Sequence, residues 1–137
     1  MSTATPIQAY AEYKDFLVSS PSPGVAHVEI NRPRKLNAFS RSMWLEFGRV
    51  FDQLSVDAEV RAVVLSGAGE RAFTAGLDVQ DAQQNGTLDP QSGDVARKAK
   101  SLRVLIEEFQ GAIGAMEKCE KRTFSPPSLD DCGGMMC

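Results

Sequence analysis

Apolar side chains come in two short runs early in the chain, Tyr13 to Val18 and Val25 to Ile30, and each predicts a strand. Between them Ser19-Ser20-Pro21-Ser22-Pro23-Gly24 is turn chemistry, since proline fixes φ and glycine admits positive φ. The two runs therefore predict a hairpin with a longer loop. Asn31 to Phe39 follows no period and predicts a polar loop. From Ser40 the spacing changes. Met43, Trp44, Phe47, Val50, Phe51 and Leu54 recur at helical intervals on one face, with Ser40 as the N-cap whose hydroxyl accepts a first-turn N–H. Val60 to Leu65 predicts a buried strand that ends in the sharp turn Ser66-Gly67-Ala68-Gly69, and Ala72 to Ala75 a second, shorter strand. Asp81 to Asp94 is loop-like. A long helix follows over Val95 to Lys118, with Leu102, Leu105, Ile106, Phe109, Ile113 and Met116 on one stripe. Beyond Glu120 turn formers and polar residues take over, which predicts an irregular tail. Strand, strand, helix, strand, short strand, loop, helix is the order of an α/β arrangement of ββα units.

Composition narrows the class without naming a function. A chain of 137 residues has room for one domain, and 42% hydrophobic with 24% charged residues excludes wholesale disorder. No apolar run approaches the ~18 residues of a membrane span. The net charge of −3 lacks the basic excess of a nucleic-acid surface, so no nucleic-acid partner is expected. Met1 to Tyr10 has neither the basic and apolar regions of a secretory signal nor the arginines of a transit peptide. All three cysteines, Cys119, Cys132 and Cys137, fall late in the chain, with no spacing that suggests zinc or a disulfide framework. An intracellular, reduced chain without a metal is expected.

Each candidate site has a plain structural counterpart. Gly67-Ala68-Gly69-Glu70-Arg71-Ala72 matches a dinucleotide fingerprint, but that chemistry needs a helix starting at the glycines, and Phe73-Thr74-Ala75-Gly76 leaves no room for one. The turn reading stands. In Ala75-Gly76-Leu77-Asp78 the glycine lets a ligand approach the backbone and frees the next N–H as a donor, while Asp78 can cap a short helix from Val79. Arg32, Arg34 and Lys35 crowd one loop, either as phosphate ligands or as a solvated basic surface. His27 stands apart from other catalytic types and reads as structural. Asn85-Gly86-Thr87 has the form of a glycosylation sequon but lacks a secretory context.

Taken in order, Val28-Glu29-Ile30-Asn31-Arg32-Pro33, Leu36-Asn37-Ala38-Phe39, a helix, Val60 to Gly67, and Ala72-Phe73-Thr74-Ala75-Gly76-Leu77-Asp78 resemble the crotonase superfamily of enoyl-CoA hydratases and isomerases. Phe73 to Asp78 and the helix with Leu102-Arg103 and Leu105-Ile106 resemble its Δ3,5-Δ2,4-dienoyl-CoA isomerase branch most, with enoyl-CoA hydratase as the alternative. The resemblance implies the N-terminal part of a crotonase-like spiral of ββα units over residues 13–121. A flexible stretch is expected over residues 1–12 and a disordered, non-family tail over residues 122–137. It implies an acyl-CoA substrate in β-oxidation, no cofactor beyond the CoA of that substrate, a trimer or hexamer, and a peroxisomal or mitochondrial location.

By the same resemblance Lys35, Leu36 and Ala38 contact the CoA arm, and Ala75, Gly76, Leu77, Asp78 and Val79 line the thioester. The Leu77 N–H is then the first of two oxyanion donors, which stabilise the enolate formed when a proton leaves next to the thioester carbonyl. The family continues through a Lys-Pro step into an apolar strand, a second donor turn and acidic proton-transfer residues. Here Lys121 is followed by Arg122-Thr123-Phe124-Ser125-Pro126-Pro127. Losing one donor typically costs ~10²–10³ in rate, and losing the acid/base pair a further ~10²–10⁴. The expectation is a chain with little turnover alone, a non-enzymatic CoA-binding or subunit-binding piece being the third alternative.

Overall fold

The computed structural model describes residues 4–84 and 94–125. Its elements are β1 (Thr5–Pro6), β2 (Phe16–Ser22), β3 (Val25–Ile30), α1 (Arg41–Val56), β4 (Ala62–Gly67), α2 (Val79–Gln84), α3 (Val95–Lys118) and β5 (Arg122–Phe124). The strands form one sheet in the order β1-β2-β3-β4-β5. β1 and β2 pair antiparallel, as do β2 and β3, whereas β4 lies parallel to β3 with Val28 opposite Leu65. A parallel neighbour needs a crossover, and α1 supplies it. The fold is α/β, as the element order predicts.

Alternation along the strands decides the faces. Phe16, Val18, Ala26, Val28, Ile30, Val63 and Leu65 are buried on one side, against Met43, Phe47, Val50, Phe51 and Leu54 of α1. These α1 residues are those the helical period selects. Ser40 caps the helix, its Oγ accepting the Met43 N–H at 3.3 Å. The other sheet face carries His27, whose Nε2 lies 2.6 Å from Ser66 Oγ across β3 and β4. The sequence shows His27 as isolated because its partner is 39 positions away. No helix among the described residues is long and apolar enough to cross a membrane.

Several boundaries differ from the expected ones. β2 begins at Phe16, after Glu46, buried on α1, has taken the Lys14 and Asp15 amides at 3.0 Å each, while the Asp15 carbonyl still accepts the Asn31 N–H at 2.8 Å. It runs on through Ser22, in the expected turn, with a register shift between Ser19 and Ser22 absorbing the irregularity. The turn contracts to Pro23 and Gly24, where φ is +81°. Within the stretch 1–12 expected to be flexible, the described residues 4–12 are ordered: β1 pairs with β2, and Tyr10 is buried with its hydroxyl donating to Asp57 Oδ2 at 2.7 Å. Burial first, and then Asp57, push that phenol well above its ordinary pKa. Ala72 to Ala75 is no strand, and the short helix expected from Val79 runs on to Gln84, into the stretch from Asp81 that is expected as loop.

At the far edge Arg122–Phe124 pairs parallel with β4, Val63 opposite Thr123, so residues 122–124 of the expected tail belong to the sheet. Arg-Thr-Phe has no strand signature of its own, and the β4 edge supplies the pairing. Residues 126–137 of that tail, with Cys132 and Cys137, and the Asn85 sequon lie outside the described residues.

α3 starts on Asp94, whose side chain accepts the Ala96 N–H, and packs on α1. The small residues Gly48 and Ala112 let the helices come close, since a Cβ on Gly48 stands 3.4 Å from Ala112 Cα. The expected single stripe on α3 divides here. Leu105, Phe109 and Met116 turn inward beside buried Ala112 and Ala115, while Leu102, Ile106 and Ile113 are exposed.

Candidate active site

Two loops meet beyond the ends of β3 and β4. Residues 31–39 leave β3 through a turn at Pro33–Lys35, then pass through Leu36 and Asn37 at φ +52° and +55°. Left-handed backbone is tolerated by asparagine and costly for leucine, about 1–2 kcal/mol, so other bonds must hold it. Asn37 provides them. Fully buried, it accepts the Arg32 N–H at 2.9 Å and donates Nδ2 to the Ala68 and Ala72 carbonyls at 2.9 and 3.0 Å. Its own carbonyl accepts Thr74 Oγ1 at 2.7 Å, and that hydroxyl accepts the Gly76 N–H at 3.1 Å. One buried side chain thus ties both loops together.

Phe39 positions Leu77. The Phe39 N–H donates to the Gly76 carbonyl at 2.7 Å, and its carbonyl accepts the Asp78 N–H at 2.9 Å, forming a single parallel bridge between Phe39 and Leu77. In a parallel bridge the residue whose two neighbours are bonded turns its own N–H and C=O the other way. The Leu77 amide therefore faces away from Phe39 and has no hydrogen bond among the described residues. Two residues earlier, the Ala75 N–H is already committed to Leu36 O at 2.9 Å. Gly76 at φ +86° makes the turn that brings Leu77 to the rim, where its side chain is partly exposed.

Arg32 and Asp78 hold this corner from beneath. Arg32 Nη1 donates to Asp78 Oδ2 at 2.8 Å and to the Ala38 carbonyl at 3.0 Å. Asp78 Oδ1 accepts the Asp81 N–H at 3.1 Å and so caps α2 from Val79, as expected. That amide first, then Arg32, hold the Asp78 carboxyl below its ordinary pKa. The sign follows: a depressed carboxylate stabilises the fold above its unfolded value of about 3.9 and loses that contribution as the pH falls through the folded value. The urea midpoint of Asp78→Asn should lie below that of the native chain near neutral pH, and the gap should close below about pH 4. A gap that stays constant on acidification overturns the assignment.

The expected site residues divide into two groups. Lys35, Leu36, Ala75, Gly76, Leu77 and Val79 come together at the rim, where Lys35 Nζ reaches Gln80 Oε1 at 3.0 Å. Ala38 and Asp78 face inward, so they position the rim. Arg32 is likewise spent on Asp78, which leaves Arg34 and Lys35 as the exposed cations of that loop. Asn37, Phe39 and Thr74 escape the sequence because their roles depend on partners far along the chain. Beyond Phe73 a cavity of about 410 Å³ opens between β4, the end of α3 and β5, lined by Leu65, Phe73, Met116, Cys119 and Thr123.

Comparison with known proteins adds the following. Residues 21–111 match the family model described as enoyl-CoA hydratase/isomerase. Over 109 residues the chain is 43% identical to the mitochondrial Delta(3,5)-Delta(2,4)-dienoyl-CoA isomerase of Rattus norvegicus, a match covering 80% of this chain and 33% of that protein. The peroxisomal Delta(3,5)-Delta(2,4)-dienoyl-CoA isomerase of Arabidopsis thaliana is 36% identical over 97 residues, 71% of this chain and 34% of its own length. A crystal structure of an enoyl-CoA hydratase from Bacillus anthracis superposes with a TM-score of 0.66 at 22% identity, covering 82% of this chain and 39% of that one. That likeness is one of fold. The chain spans about a third of the length of these curated relatives.

Proposed function

The chain belongs to the enoyl-CoA hydratase/isomerase family, and from that premise we propose that it binds acyl-CoA thioesters and carries the first part of a dienoyl-CoA isomerase site. The observation that carries this is the outward Leu77 N–H, fixed on both sides by Phe39 and bonded to nothing else among the described residues. Such an amide is a donor for a thioester carbonyl, and a stronger one once proton removal makes that oxygen an enolate. Lys35 at the rim meets the CoA phosphates, Leu36 and Val79 flank the pantetheine arm, and the acyl chain runs past Phe73 into the cavity beyond it, where Leu65 and Met116 offer apolar wall beside Glu117 and Lys121. The double-bond shift from 3,5-dienoyl-CoA to 2,4-dienoyl-CoA takes a proton from one carbon and returns it to another. No cofactor beyond the substrate's own CoA enters that reaction. The mitochondrial and peroxisomal relatives support the same compartments for this protein.

The donor half of the chemistry is assigned here and the proton-transfer half is not. Among the described residues Asp78 is turned inward and committed to Arg32, and Glu117 stands on the cavity wall at the end of α3, where no proton-transfer role is assigned to it. The 137-residue chain is therefore expected to bind 3,5-dienoyl-CoA without turning it over. Titration followed by Trp44 fluorescence measures the first, and the ultraviolet absorbance of the conjugated product the second. Leu77→Pro removes the N–H and no protein hydrogen bond, so it should weaken binding about fivefold, the worth of about 1 kcal/mol. No binding, or binding indifferent to Leu77→Pro, overturns the site. Turnover of the dienoyl substrate by the isolated chain overturns the half-site, and hydration of a 2-enoyl-CoA transfers it to the hydratase branch.

A further inference from the structure

The Leu77 N–H is one end of a chain of hydrogen bonds that starts on a charge. Arg32 Nη1 carries two hydrogens, and it donates to Asp78 Oδ2 at 2.8 Å and to the Ala38 carbonyl at 3.0 Å. That carbonyl shares a peptide unit with the Phe39 N–H, which donates to the Gly76 carbonyl at 2.7 Å. The Gly76 carbonyl in turn shares its peptide unit with the Leu77 N–H. In a trans peptide the C=O and N–H point in opposite directions. Guanidinium, two peptide units and the outward donor therefore stand in one head-to-tail series.

Direction matters in such a series. A peptide that accepts at its oxygen is polarised along the unit and becomes a better donor at its nitrogen, by about 10–30% per bond in condensed phase. The first donor here is a cation, and charge-assisted hydrogen bonds are roughly twice as strong as neutral ones. Ala38 and Phe39 are buried, and Met43 Sδ stands 4.0 Å from the same Nη1, so the first two links lie where screening is weak. Two neighbouring amides are outside the series: Ala75 donates to Leu36 O and Gly76 to Thr74 Oγ1. Asp78 works against it. Its carboxylate lies beside Arg32 and one position after Leu77, where a negative charge opposes the charge that develops on a bound carbonyl oxygen.

We propose that Arg32 is a positioning residue for the thioester site, polarising the Leu77 N–H through the Ala38–Phe39 and Gly76–Leu77 peptide units. The proposal rests on the reading of Leu77 as the donor and deepens it: the strength of that amide is set by a cation two peptide units away. Arg32 therefore contributes more as negative charge grows on the oxygen, and more to an enolate than to a neutral thioester. Asp78 keeps the corner folded while weakening the donor. Removing its charge then lowers stability and raises donor strength, two effects that a purely structural corner would move together.

Isotope-edited infrared spectroscopy of carbonyl-labelled 3,5-dienoyl-CoA on the 137-residue chain tests this. The bound thioester carbonyl should absorb at lower frequency than the free one, and Leu77→Pro should abolish that shift. Asp78→Asn should enlarge it. Adding Arg32→Met in that background, where no carboxylate is left unpaired, should bring the shift below the native one and weaken binding about twofold. A shift lost with Leu77→Pro yet indifferent to Arg32→Met overturns the relay and keeps the site. No shift on the native chain, or one indifferent to Leu77→Pro, overturns the reading of Leu77 on which the proposal rests. Nuclear magnetic resonance of the free chain reads the series without a ligand. On Arg32→Met in the Asp78→Asn background the amide nitrogen of Phe39, and by less that of Leu77, should move upfield, with Ala75 and Gly76 unmoved. Equal movement at all four, or none at Leu77, overturns the relay.

Discussion

Asn37→Ala is expected to cost about 3–5 kcal/mol of folding stability, read as a lower urea midpoint at unchanged slope. The substitution leaves three backbone groups without their partner: the Arg32 N–H and the Ala68 and Ala72 carbonyls. Each unsatisfied buried group costs about 1–3 kcal/mol, although some relax toward water, so the sum is not taken in full. Alanine must also adopt φ +55° at this position, where asparagine has a local advantage. Against a typical total of about 5–15 kcal/mol this is a large share. Asn37→Asp separates the contributions, because a carboxylate still accepts from Arg32 N and donates to neither carbonyl. With a buried carboxylate oxygen facing those two carbonyl oxygens, it should be at least as destabilising as alanine at neutral pH. A loss below about 1 kcal/mol for Asn37→Ala would show that the two loops are held by something other than this side chain.

Gly67→Ala should destabilise by about 3 kcal/mol, the upper part of the range for overfilled sites. An added Cβ falls on the Phe73 carbonyl oxygen and stands 2.9 Å from both Asn37 Nδ2 and Phe73 Cα. Two of these three atoms are backbone, so relief requires the 72–75 loop to move outward. Limited trypsin digestion reads that movement directly, since the exposed Arg71 lies just before the displaced segment. Gly111→Ala is the control: nothing stands within 4 Å of its added Cβ, and an alanine within a helix is favoured over glycine by about 1 kcal/mol. Equal behaviour of the two variants would remove the steric role from Gly67.

These two positions mark where the sequence stops being legible. α1 and α3 can be read because their apolar residues repeat locally and Ser40 offers a cap, and β3 because Ala26, Val28 and Ile30 alternate. Each of these signals lies within a few residues of its effect. Asn37 has no such signal: its meaning comes from carbonyls 31 and 35 positions away. β5 and Tyr10 are ordered by a sheet edge and a pocket that exist only after folding. Glu46 left a trace that could have been used, a charge one turn after Met43 and one turn before Val50 on a face that is otherwise apolar. In the site, the Gly76-Leu77 step was legible as an exposed donor, and the inward turn of Arg32 and Asp78 was not, because opposite charges 46 positions apart give no local pattern.

The clamp of Phe39 on both neighbours of Leu77 also bears on the time at which a donor is prepared. An amide in water meets a developing negative charge only after the surrounding solvent dipoles have turned, and that reorientation is part of the barrier. Here the peptide dipole is pinned by the Phe39 N–H and C=O before any ligand arrives, so its alignment belongs to the free energy of folding. The loop need not reorganise as charge builds on an oxygen placed against it.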